Sequence, residues 1–278
     1  MGSDVNDLST EAETAAPRNC VDDPRIEAHL RTLRDCNQRA ERLLSLVDLA
    51  KAGTVDLPLA GYLAAMMRRG SSLLVGARPG GAGKTAVMVA LLNLLPDDVV
   101  VRPIEGPLTL RQGLADTAYG RTCYLAHEIG QGWYYAYLWD DQARAFFQLA
   151  GRGHLIASNL HADTLPESQS QLCDDNGVAP DDLRAVTLKV FLRVTRGADL
   201  RPQRWVNSVY ESDGEQDRLV WQLAGKGRFV RMVDSVRVSH DDEFAARSFL
   251  ERRRERHECT IEQVRLAACQ EWLYEGTK

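Results

Sequence analysis

An apolar run, Ser71–Ala77 (SSLLVGA), leads into Arg78–Thr85 (RPGGAGKT) and then into Ala86–Leu95 (AVMVALLNLL), which has helical character. This order of strand, glycine-rich loop and helix constrains the chain more than any other segment, because it opens a parallel α/β unit. Gly80, Gly81 and Gly83 let the backbone curl with its N–H groups inward. The start of the helix adds partial positive charge at the same point, so the loop reads as a cradle for phosphate. The expected ATP-binding positions are Pro79, Gly80, Gly81, Ala82, Gly83, Lys84, Thr85 and Ala86. Lys84 is expected to reach the β- and γ-phosphates, and Thr85 to hold Mg²⁺ through its hydroxyl. Arg78 stands where the pattern G-x-x-x-x-G-K-[ST] has its first glycine. Only five of the 34 basic residues are lysine, so a lysine at position 84 is not an incidental cation.

With 278 residues, the chain is long enough for one large domain, or one domain and a smaller appendage. No apolar stretch approaches the ~20 residues that a membrane span needs. The opening MGSDVNDLSTEAETAAPRN is acidic and polar, unlike a secretory signal or a mitochondrial presequence, and residues 1–22 read as a disordered tail. Six scattered cysteines form no C-x-x-C pair or Cys/His cluster, which argues against a zinc site or a disulfide framework. Reduced thiols in a cytoplasmic protein are expected. A net charge of −5 speaks against sequence-independent coating of nucleic acid.

Residues 23–69 form a helical segment. Ile26, Leu30, Leu33, Ala40, Leu44 and Val47 recur at three- and four-residue steps with a break near Asn37, as in a packing helix pair or a docking helix. Leu57–Gly70 reads as a second, shorter helix. From 70 to 211 short apolar runs alternate with helical ones. Val99–Pro107, Thr122–Gly130, His154–Ala162 and Ala185–Arg196 are the strand candidates, which predicts a mostly parallel sheet covered on both faces. The expected fold class is α/β, a P-loop NTPase core of RecA-like type with nucleotide at the carboxyl ends of the strands. Residues 212–278 are assigned to a small C-terminal hairpin and helices. Arg204–Ser212 and Arg218–Ala224 flank the turn DGEQ, and Thr260 with Gln263 marks a capping box that opens the last helix. Arg252–Arg256 (RRRER) reads as a solvated helix face. Gly132–Phe147, which holds seven of the aromatic residues, reads as core, subunit interface or partner surface.

A phosphate-binding loop that hydrolyses its ligand needs a carboxylate to orient water, at the end of an apolar strand beside the loop strand. Glu128 in CYLAHEI and Glu105 in VVVRPIEGP both suit this position, and the two are expected to converge near Mg²⁺ and the γ-phosphate. In GHLIASNLHAD, Asn159 and His161 stand where a strand ends and suit a γ-phosphate sensor. Gly153 and His154 open the same segment.

These residues together resemble the type II/type IV secretion and pilus-motor ATPases. R-P-G-G-A-G-K-T is similar to that family's P-loop, I-E-G-P (Ile104–Pro107) to its I-E-D-P box, H-E-I-G (His127–Gly130) to its Walker B box, and G-H-L-I-A-S-N-L-H-A (Gly153–Ala162) to its His box. The resemblance covers about residues 70–211. It implies an ATP- and Mg²⁺-dependent homo-oligomer, hexameric in the family, that drives assembly, retraction or export with a protein partner in an envelope machine. The implied location is cytoplasmic, peripheral at the inner membrane. It also implies catalytic roles for Glu128, Glu105 and His161. The chain departs from the pattern at Gly106, which replaces the box Asp, and at Gly130 and Gln131, which replace Arg-Asp. Arg111 and Arg121 are the only arginines between Glu105 and Glu128, and the family's N-terminal sheet domain has no room before the core. Two alternatives stay open. One is a nucleotide-binding regulator or scaffold of the same fold with little hydrolysis. The other is a RecA-like nucleic-acid motor, suggested by the A-R-P opening of the loop and disfavoured by the net charge.

Overall fold

The structure, a computed structural model, describes residues 20, 23–37, 41–131, 137–196 and 202–271. Three helices come first: α1 (Pro24–Cys36), α2 (Leu46–Lys51) and α3 (Leu57–Arg68). The β1 strand (Leu73–Gly76) and α4 (Lys84–Leu92) follow, then β2 (Val100–Pro103), α5 (Pro107–Ala115), β3 (Thr122–Ile129), β4 (Tyr137–Leu138) and α6 (Asp140–Gly151). The core closes with β5 (Leu155–Leu160), α7 (Leu165–Gln169), α8 (Pro180–Arg184) and β6 (Leu188–Arg196). Three antiparallel strands, β7 (Pro202–Ser212), β8 (Asp217–Gly225) and β9 (Arg228–Arg231), precede α9 (His240–Glu255) and α10 (Ile261–Glu271).

The nine strands of the described residues lie in one sheet of order β2-β3-β5-β1-β6-β7-β8-β9, with β4 paired to β3. The strands β1, β2, β3, β5 and β6 run parallel, as their near-continuous apolar sequences require. Successive residues face opposite layers. Leu73 and Val75 of β1, Cys123 and Leu125 of β3, and Leu155 and Ala157 of β5 join the core under α1–α4, α9 and α10. Leu74, Tyr124, Ala126 and Ile156 join the other core, with Phe146 and Phe147 of α6. The fold is therefore α/β, with a mostly parallel central sheet extended at one edge by antiparallel strands.

The sheet continues without a break across the expected 211/212 boundary, because β7 ends at Ser212 and β8 and β9 extend its edge. The terminal α9 lies against α3. The two approach closely at Gly61, where a Cβ would stand 2.7 Å from Arg247 Cβ. At Thr260 the expected capping box forms: the Thr260 N–H donates to Gln263 Oε1 (3.1 Å) and the Gln263 N–H to Thr260 Oγ1 (3.2 Å). The RRRER reading needs correction at one residue. Arg253 is buried, bonded to Glu258 and Glu271 at 2.7 Å each and stacked over Phe249. The tail 1–19, residues 21–22 and the aromatic stretch 132–136 lie outside the described residues.

Candidate phosphate-binding site

Ala77–Gly83 joins the end of β1 to the start of α4, with Gly81 at φ 72° and Gly83 at φ 93°. A side chain at either position is strained, so glycine is what allows the loop to curl there. No side chain caps the first turn of α4, and its N–H groups present their partial positive charge to the loop's concave side. Arg78 has no positive φ, so its backbone needs no glycine. Its N–H donates to Asp163 Oδ1 (2.7 Å) and its Nε lies 3.1 Å from Glu167 Oε2. The residue that departs from the motif thus pins one side of the loop. Arg204 of β7 holds the other side, donating from Nε to the Gly81 carbonyl at 2.9 Å.

Three of the expected site residues meet on one buried carboxylate. Glu128 Oε1 lies 2.8 Å from Lys84 Nζ and 3.0 Å from His161 Nε2, while Oε2 accepts from the Tyr137 hydroxyl at 2.8 Å. Lys84 Nζ also donates to the Ala77 carbonyl (3.0 Å) and lies 3.4 Å from His161 Nδ1. His161 Nδ1 also lies 3.3 Å from the Arg78 carbonyl. Burial alone would raise the Glu128 pKa. The hydrogen bonds from Lys84 and Tyr137, with the charges of Lys84 and His161, outweigh it and hold the carboxyl below its ordinary value. Asn159 completes the cluster. Its Nδ2 donates to Thr85 Oγ1 (3.2 Å) and to the His127 carbonyl (2.9 Å), and its buried Oδ1 has no hydrogen-bond partner among the described residues.

Two expectations about placement are corrected. The strand of Glu128 is not beside the loop strand, since β5, with Asn159, lies between β3 and β1. Glu128 reaches Lys84 because the long lysine side chain spans that strand. Glu105 is exposed after the edge strand β2, with β3 and β5 between it and the loop strand, and it makes no contact with Glu128 among the described residues. His154 begins the opposite end of β5, where it is buried between the rings of Tyr119 and Tyr124 with Nε2 3.1 Å from the Asp116 carbonyl. Its role there is structural.

Several site residues escaped the sequence reading. Asp163 follows the His box directly, and Glu167 closes a Thr164-x-x-Glu167 cap that was legible as a pattern. Tyr137 enters through β4, whose register pairs it with Glu128. Arg204 is distant in sequence and carries no local signal. Beside His161 a cleft of about 790 Å³ opens between Gln131, Trp139, Asp140, Gln171 and Asp175, giving solvent access to the cluster.

Parts of the chain are similar to solved ATPase structures, at low identity. The VirB11 ATPase from the Brucella suis type IV secretion system, in complex with sulphate, is 18% identical with a TM-score of 0.42, over 60% of this chain and 54% of that one. The Legionella pneumophila ATPase DotB is 14% identical with a TM-score of 0.42, over 58% of this chain and 50% of that one. The Yersinia pseudotuberculosis ATPase DotB is 12% identical with a TM-score of 0.44, over 77% of this chain and 56% of that one. The chain spans about half the length of each of these proteins. No family model matches the chain, and no curated protein does. Among the described residues no helix is long and apolar enough to cross a membrane.

Proposed function

We propose that this chain binds ATP at the 78–85 loop and hydrolyses it with Mg²⁺, as a motor subunit of secretion or pilus type. The observation that carries the reading is the convergence of Lys84 and His161 on the buried carboxylate of Glu128, at the mouth of a loop shaped for phosphate. A terminal phosphate in the loop competes with Glu128 for Lys84. Once Lys84 turns to phosphate, its depressing effect on Glu128 is removed and the burial effect remains, so the carboxylate becomes a stronger base. Tyr137 and His161 keep it oriented while it takes a proton from the attacking water. His161, 3.0 Å from Glu128 and close to Lys84, then registers whether the third phosphate is present.

The site fits a magnesium ion. Thr85 Oγ1 is the expected ligand, and the unpartnered Asn159 Oδ1 beside it suits a metal-held water. When bound, the ion would neutralise charge on the β- and γ-phosphates. The test is Mg²⁺-dependent ATP hydrolysis by the full chain, with Glu128→Gln expected to lower turnover by ~10²-fold. A wild-type protein that binds no ATP would sink the reading. A second reading, a regulator or scaffold with little hydrolysis, is favoured by the exposed position of Glu105 away from the cluster. It expects ATP binding without turnover. Stimulation by single-stranded DNA, lost as salt rises, would instead support a nucleic-acid motor. By the same resemblance the working form is a hexamer docked to an envelope partner at the cytoplasmic side of the inner membrane. A protein that stays monomeric on sizing with a non-hydrolysable ATP analogue counts against that form.

A further inference from the structure

The strands beyond β1 overhang the phosphate loop. β1 ends at Gly76, paired with Phe191, whereas β6 continues to Arg196, roughly 16 Å further at the usual rise of a strand. β7 returns antiparallel along this extension and sets Arg204 opposite Val194, above the loop. The side chain of Arg204 crosses to the loop itself. Its Nε bonds the Gly81 carbonyl at 2.9 Å, and its Cδ would lie 3.3 Å from a Cβ on Gly83. The two terminal guanidinium nitrogens make no hydrogen bond or ion pair among the described residues. Strand order places this cation on the far side of β1 from Glu128 and His161, which belong to β3 and the end of β5. A nucleotide whose terminal phosphate meets Lys84, Glu128 and His161 therefore has its inner phosphates and sugar towards β6 and β7.

We propose that Arg204 is a further nucleotide-binding residue, which fixes the loop through Gly81 and offers its guanidinium to the inner phosphates of the bound nucleotide. The proposal rests on the reading of the loop as a nucleotide site and names the group that holds the end away from the reacting phosphate. Arginine suits the place because Nε bonds the loop carbonyl while the other two nitrogens stay available for phosphate oxygens. Arg204 then supports diphosphate and triphosphate alike, whereas His161 distinguishes them.

The experiment titrates ATP and ADP into the full chain and its variants by calorimetry. Arg204→Ala is expected to weaken both nucleotides about tenfold and equally, a cost of about 1.4 kcal/mol. Its affinity should also depend less steeply on salt, since one cation–phosphate contact is gone. Arg204→Lys keeps the charge and should recover part of the loss, and it replaces the alanine variant if that fails to fold. His161→Ala should weaken ATP and spare ADP. The proposal is overturned if the folded Arg204 variants bind both nucleotides as the wild type does, or lose ATP alone. It is overturned too if affinity falls with an unchanged salt slope, as a purely structural strap predicts. A wild type that binds neither nucleotide overturns the loop reading itself, a different failure from an Arg204 variant that binds normally.

Discussion

Glu128 and Glu211 are both buried carboxylates in the same sheet, yet their partners differ in kind. Glu211, in β7, is fully buried and accepts from the Tyr62 hydroxyl (3.0 Å), the Ser235 hydroxyl (2.5 Å) and the Val236 N–H (2.8 Å). Its partners are neutral donors set by the packing of α3, β7 and the 232–239 segment, and they have no alternative ligand. Glu128 has Lys84, His161 and Tyr137 around it, and Lys84 is a long cation at the edge of the glycine-rich loop. Burial alone does not tell the two acids apart. What separates them is whether a partner can be drawn away by something arriving from solvent.

That contrast can be broken first at the two acids themselves. Glu211→Ala leaves Tyr62, Ser235 and Val236 with buried unpaired donors and is expected to cost about 3 kcal/mol. The thermal midpoint should drop by roughly 10 °C, with turnover per folded molecule unchanged. Glu128→Gln is expected to do the reverse, lowering turnover by ~10²-fold in a protein that still melts near the wild-type temperature. Equal thermal losses in the two variants, read by calorimetry, would erase the distinction.

The next effect is on acid stability and lies away from the site. His29 of α1 is buried, and burial together with the nearby Arg265 charge pushes its pKa from 6.5 down to about 3. The unfolded chain therefore takes up a proton that the native one refuses. Stability from this group is complete above pH 6.5 and is lost as pH falls towards 3, at up to about 1.4 kcal/mol per pH unit. Denaturant melts between pH 7 and 4 should show this slope, and His29→Gln should flatten it. A slope unchanged in that variant would assign the acid loss to other groups.

The smallest effect sharpens the picture of Glu128. Tyr137→Phe removes one of the hydrogen bonds that lower the Glu128 pKa. The acidic limb of the kcat/KM profile should move to higher pH, and turnover should fall by about tenfold or less, the worth of one charge-assisted bond. A limb that stays in place would remove Tyr137 from the control of that carboxylate.

Local sequence patterns made much of this legible. The loop, the apolar strands and the Thr260 cap are each encoded within a few residues, so periodicity and spacing locate them. The candidate site was half legible. Lys84, Thr85, Glu128, Asn159 and His161 could be named, since each stands at the end of an apolar run or in the loop. Glu105 could not be told from Glu128 in this way, because a carboxylate after a strand looks the same whether that strand is central or at the edge. RRRER misled: charge says nothing about Arg253 being enclosed by Phe249, Glu258 and Glu271.

By itself, the sequence determined that a glycine-rich loop sits between a buried strand and a helix, and that polar groups stand at the ends of later strands. These are local matters of backbone freedom and hydrophobic period. Tertiary structure decided which of those strand ends meet. The order β3-β5-β1-β6-β7 brought Glu128 and His161 to one side of the loop and Arg204 to the other, and it left Glu105 outside. Strand order is set by the packing of two helical layers against one sheet, and that packing sums contacts from the whole chain.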